Sequence, residues 1–139
     1  MSNFNENIFC EFFGKDETFL LGVCYRSPNS PEENDRNMRN LLAEISHHKA
    51  DNTVILGDFN YNMINWNLRN CVSPSPSAEL FLAELDDLFL EQLVTEPTRY
   101  RLGQRSNILD LVLTNNTYFI EEIKYCEPVG CSDHLSLLV

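Results

Sequence analysis

At 139 residues the chain has room for one small domain, and its 43% hydrophobic content is enough to bury a core. A net charge of −11 excludes a free-standing, non-specific nucleic-acid binder, which would be basic; such a partner would need a local basic strip or bound cations to offset the repulsion. The five cysteines, odd in number and without a Cys-x-x-Cys pair, exclude a zinc ribbon or redox couple and read as small buried hydrophobes in a reducing, intracellular setting.

No apolar run reaches the roughly 20 residues of a membrane helix. The opening MSNFNEN lacks the charged and apolar regions of a signal peptide. Residues 8–13 (IFCEFF) and 18–25 (TFLLGVCY) read as strands joined by Gly14-Lys15-Asp16-Glu17, a hairpin with a four-residue loop. The hairpin begins within ten residues of Met1, so no earlier layer of the fold is expected. Residues 26–31 (RSPNSP) form a rigid loop, and residues 32–49 read as a helix with Met38, Leu41, Leu42 and Ile45 on one face. Pro31, Glu32, Glu33 and Asp35 suit its N-terminal end; His47, His48 and Lys49 suit its C-terminal end, as solvated charges rather than metal ligands.

Thr53-Val54-Ile55-Leu56 is the pattern of a buried strand, and Gly57-Asp58-Phe59-Asn60 follows it directly. The glycine is expected to let the backbone turn sharply there. Asp58 and Asn60, two apart, would project to one side of an extended chain and could align a water and a phosphoryl oxygen; an ordinary Asp/Asn turn is the alternative. A polar loop over 61–72 holds the single tryptophan, Trp66, expected to pack rather than to contact DNA. Residues 73–77 (SPSPS) read as a turn and N-cap, and 78–90 as a second helix with Leu80, Phe81, Leu85, Leu88 and Phe89 on its apolar face. Residues 91–101 are partly extended, with Pro97 opposing a long central strand. Arg99, Arg101 and Arg105 cluster there; a solvated loop is the expectation, phosphate contact the alternative. Residues 108–114 (ILDLVLT), 119–127 and 135–139 read as strands, the first with Asp110 inside an apolar run. Strands and helices alternate as in a layered α/β domain, taken as a single domain over residues 1–139.

Three polar groups thus interrupt apolar stretches: Asp58 with Asn60, Asp110, and Asp133 with His134. A buried carboxylate needs a partner, and an imidazole held by one leaves its second nitrogen for a reacting group. Together they outline an acid–base site for water attack on a phosphodiester.

GDFN at 57–60, SNILDLVLT at 106–114 and SDH at 132–134 resemble the endonuclease/exonuclease/phosphatase superfamily of deoxyribonuclease I and exonuclease III-type enzymes. GVCYRSPNS at 22–30, INW at 64–66 and EPVGCSDH at 127–134 are similar to the endonuclease domain of non-LTR (LINE-type) retrotransposons. The resemblance implies a partial four-layer DNase I-like α/β sandwich lacking its N-terminal part. It also implies a DNA-nicking hydrolase using Mg2+, or Mn2+, in a nuclear protein whose parent reading frame joins it to a reverse transcriptase, with no membrane involved. In the implied roles Asp58 orients or deprotonates water, Asn60 positions water and phosphate, and His134 contacts the scissile phosphate. Asp110 orients His134, Asp133 is a metal-linked or outer acid, and Tyr25 contacts phosphate or leaving group. The family's metal glutamate lies on an earlier strand; Glu6, Glu11 and Glu17 do not match its motif, so activity of this chain is expected to be impaired. A catalytically inactive remnant and a phosphatase acting on a small phosphoester are the alternatives.

Overall fold

The structure, a computed structural model, describes residues 3–48 and 50–139. Lys49, counted above as the end of the first helix, lies outside the described residues, as do Met1 and Ser2. β1 (Asn7–Phe13) and β2 (Thr18–Tyr25) make the expected hairpin, with the Gly14 N–H donating to the Glu17 carbonyl at 2.8 Å. β2 pairs parallel with β3 (Asn52–Asp58), a step that needs a crossover, and α1 (Glu32–Ser46) supplies it. Two short strands, β4 (Ile64–Asn65) and β5 (Asn70–Cys71), pair within the polar loop, and α2 (Pro76–Asp87) follows. β6 (Glu91–Gln92) and β7 (Asp110–Thr114) complete the sheet, in the order β1-β2-β3-β7-β6. The run around Thr53 is therefore the central strand.

Alternation along the strands sorts side chains onto two faces. Leu20, Cys24, Ile55, Leu111 and Leu113 pack with Met38, Leu42, Phe81 and Leu85 of the two helices. Phe81 gathers the rings of Phe59, Tyr61 and Trp66, at centroid distances of 5.6, 4.5 and 6.5 Å. Trp66 packs edge-on, as expected. On the opposite face Phe19, Leu21, Val54, Leu56 and Val112 are partly covered by Ile120, Ile123, Tyr125 and Leu137. The last two belong to β8 (Lys124–Cys126) and β9 (Ser136–Leu138), a separate antiparallel pair. The cover stops short of β1. Ile8, Phe12 and Val23 stay 68, 51 and 46% exposed, and a groove of about 660 Å³ opens beside Phe19, Leu21, Phe119 and Leu138.

Several expectations change. α1 ends at Ser46, with His47 as its C-cap; Glu32, Glu33 and Asp35 do lie in its first turn, and Asp35 is buried there. α2 stops at Asp87 because Phe89 takes the left-handed conformation (φ 54°). Its buried stripe is Ala78, Phe81, Leu82 and Leu85; Leu80 and Phe89 are exposed. The strand expected over 119–127 shrinks to β8, because Ile120 and Ile123 lie across the sheet instead of extending it. Of the five cysteines, all free, Cys24 alone is fully buried, and burial pushes its thiol up to about 12; Cys10, Cys126 and Cys131 are exposed. Among the described residues no helix is long and apolar enough to cross a membrane.

Candidate functional site

Sheet register builds one side of the site. Tyr25 stands opposite Asp58, and Asp58 opposite Asp110, so three neighbouring strands present these residues in one row. By alternation the row shares the face of Leu21, Leu56 and Val112, the face that β8 and β9 cover. The ladder runs one residue past β3, with the Phe59 N–H donating to the Leu109 carbonyl at 2.8 Å. The chain then turns at Asn60, which adopts φ 51°, a conformation Asn tolerates better than most residues. Its N–H donates back to Asp58 Oδ1 at 3.1 Å, an Asx turn, while its side-chain amide donates to the Arg26 carbonyl at 2.8 Å. The turn thus falls at Asn60 and not at Gly57. Gly57 (φ 148°) serves close approach: a Cβ there would lie 1.8 Å from the Cys24 carbonyl oxygen on β2.

His134 arrives from the segment before β9. Thr98, fully buried, ties that segment to β7: its hydroxyl accepts from the Leu109 and Asp110 N–H groups at 3.1 Å each, and its carbonyl accepts from Leu135 N–H at 2.7 Å. His134 Nδ1 lies 2.8 Å from Asp110 Oδ2. One ligand atom each from Asp58, Asp110 and His134 falls within 4.8 Å of the others, and all three residues are half-buried. The side chains of 58 and 134 therefore share one face, within reach of one phosphate group.

The remaining expected site residues lie around this trio. Tyr25 is about half exposed beside Asp58. Asp133 lies outside the trio: Arg99 Nε donates to its Oδ2 at 3.0 Å, and its Oδ1 is 3.9 Å from His134 Nε2. The Arg99 hydrogen bond holds the Asp133 carboxyl below the usual carboxylate range. Arg99 is thus an ion-pair partner, whereas Arg101 and Arg105 are exposed on the loop. Of the early glutamates, Glu17 accepts from Asn52 and Glu11 lies 3.7 Å from His48.

Burial pushes the Asp58 carboxyl up, the nearby Asp110 charge adds to this, and His134 and Asn60 pull against it. Behind the turn sits a buried ion pair between Arg26, read from the sequence as loop, and Asp35, read as helix start. Arg26 Nε and Nη2 donate to Asp35 Oδ1 and Oδ2 at 2.7 and 3.0 Å, and Ser77 donates to Oδ2. Burial opposes ionisation of Asp35, but these hydrogen bonds outweigh it and its carboxyl lies below the ordinary value. Thr98 carries no motif in the sequence; Arg26 lies within GVCYRSPNS, directly after a predicted strand, and that was the one available hint.

Two carboxylates and an imidazole at this spacing fit a divalent cation. The oxygens suit magnesium or manganese, and the imidazole nitrogen suits manganese and later transition metals better than magnesium.

An endonuclease-reverse transcriptase family model matches residues 19–138. No curated protein matches the chain. Among solved structures, the endonuclease domain of TRAS1, a telomere-specific non-LTR retrotransposon, superposes with a TM-score of 0.68 at 16% identity, covering 95% of this chain and 61% of that one. The inositol polyphosphate 5-phosphatase domain of SPsynaptojanin, in complex with inositol (1,4)-bisphosphate and calcium ion, superposes with a TM-score of 0.54 at 18% identity. That match covers 94% of this chain and 48% of the other. The chain therefore spans less than two thirds of either structure.

Proposed function

The chain belongs to the endonuclease-reverse transcriptase family, and from that premise we propose that it is a DNA-nicking endonuclease domain that hydrolyses phosphodiesters with a divalent metal ion. Its fold is the DNase I-like α/β type, present in part beside the solved structures. The observation that carries the proposal is the meeting of Asp58, Asp110 and His134, which come from well-separated stretches of chain.

In this reading Asp110 accepts a hydrogen bond from His134 Nδ1–H, which orients the ring so that Nε2–H donates to a phosphate oxygen. Asp58 accepts the proton of the attacking water, and its raised pKa suits a base better than an ordinary aspartate would. Asn60 helps to place water and phosphate, and Tyr25 lies in the same row to contact the phosphate or the leaving group. Asp133 supports the site from its pair with Arg99. The Asp58 and Asp110 carboxylates, beside His134, would hold Mg2+ or Mn2+, which when bound would neutralise phosphate charge and lower the pKa of a bound water. With a net charge of −11, the chain needs such a cation or a local basic strip to approach a polyanion. A nuclear location and fusion to a reverse transcriptase belong to the same proposal. Activity of the chain alone is expected to be weak, because no early glutamate takes the place of the family's metal glutamate.

Nicking of supercoiled plasmid with Mg2+ or Mn2+ tests the reading. The unsubstituted chain should convert plasmid to open circles, and Asp58→Ala and His134→Ala should each lose about 100-fold or more. Equal background from all three proteins would mark an inactive remnant. Hydrolysis of a small phosphoester without nicking would favour the phosphatase alternative, which the likeness to the 5-phosphatase fold keeps in view.

A further inference from the structure

We infer that Arg26 is a positioning residue of this centre: it sets the turn that aims Asp58 and Asn60. The inference rests on reading the Asp58, Asp110 and His134 group as a metal-assisted phosphodiesterase site.

Arg26 is 6% exposed and touches four consecutive residues of the turn. Its N–H donates to the Asp58 carbonyl at 2.8 Å. Its Nη1 donates to the Phe59 and Asn60 carbonyls at 3.4 and 3.3 Å. Its own carbonyl accepts from the Asn60 amide, and its guanidinium carbon lies 4.1 Å from the centre of the Tyr61 ring. Asp35, buried on α1, takes the other edge of the guanidinium through both oxygens, and Ser77 at the start of α2 braces Asp35.

The guanidinium is a planar, rigid fork, so the Asp35 contact fixes where Nη1 points. Nη1 in turn rewards a backbone in which the carbonyls of 59 and 60 converge, and that convergence accompanies the left-handed Asn60. If the turn relaxed, the Asn60 N–H would leave Asp58 Oδ1, and the carboxylate would be free to swing away from Asp110 and His134. A lysine keeps the charge but has one compact head; it cannot grip Asp35 with two bonds and the turn at once.

The test compares the unsubstituted chain with Arg26→Lys, with Asp35→Asn as a milder second variant, and with Leu42→Ala, a buried α1 change among the core residues, as control. Two quantities are read: Mn2+ affinity by paramagnetic resonance, and hydrogen exchange of the Asn60 amide by NMR. Arg26→Lys is expected to weaken Mn2+ binding about 10–100-fold and to speed Asn60 exchange about tenfold relative to the β3 amides. Asp35→Asn should move both in the same direction, and Leu42→Ala should move neither relative to those amides. Unchanged exchange at Asn60 in both polar variants would overturn the inference, as would equal changes in Leu42→Ala. If the unsubstituted chain binds no Mn2+, the metal reading above falls, and Asn60 exchange decides the role of Arg26 by itself.

Discussion

Asp58 is ionised against resistance. Its native carboxyl keeps a proton to higher pH than the unfolded one, mainly through burial and then through Asp110. Between the two pKa values the native state binds more protons, so this group's contribution to stability falls as pH rises. Asp58→Asn should therefore be more stable than the unsubstituted chain at pH 7, by about 0.5–2 kcal/mol in urea denaturation, with the gain gone below about pH 4 and nicking lost. A less stable variant would contradict the proposed environment. Asp35 has the opposite sign. Its lowered native pKa gives stability that is complete above the ordinary aspartate value of about 3.9 and is lost as pH falls through the native one. Arg26→Met leaves that carboxylate buried without its partner and should cost about 3–5 kcal/mol by chemical denaturation. At this scale the sequence was informative where a polar residue interrupts an apolar run, as Asp58, Asp110 and His134 do. It was silent about pairs that folding alone creates, such as Arg99 with Asp133, 34 residues apart.

At the scale of elements, the hairpin, α1 and the central strand were legible because each repeats a local signal: a polar four-residue turn, apolar residues at helical spacing, or a β-rich apolar run. Boundaries failed where tertiary contacts set them. α2 ends at a left-handed Phe89, and the segment before β8 covers the sheet face with Ile120 and Ile123. The glycine of the GDFN motif serves close approach of two strands and not the expected sharp turn. Gly57→Ala should force β2 and β3 apart, because its Cβ would overlap the Cys24 carbonyl; the expected loss is about 1–3 kcal/mol or more, seen as a lowered midpoint with faster exchange of β2 and β3 amides. Phe81→Ala removes the ring on which Phe59, Tyr61 and Trp66 converge. It should cost about 3–5 kcal/mol, and the emission of Trp66, the single tryptophan, should shift to the red.

For the whole molecule, the layered α/β class followed from the alternation of strands and helices, whereas the two-faced sheet did not, because sequence separates its faces but does not say what covers each. The helix face is closed, and the other is covered beside β7 and open beside β1. The isolated chain is therefore expected to bind a hydrophobic dye such as ANS. Replacing exposed Ile8 and Phe12 with glutamate should lower that signal while changing stability by less than about 0.5 kcal/mol per site; unchanged dye binding would place the open patch elsewhere. The pairing of β3 has a further consequence for biosynthesis. Its parallel neighbour β2 leaves the ribosome before it, but its antiparallel neighbour β7 follows only after α2 and a long irregular stretch. At about 5–20 residues per second the nascent strand waits some seconds with one edge bare, and the row that carries Asp58 and Asp110 cannot form until β7 emerges.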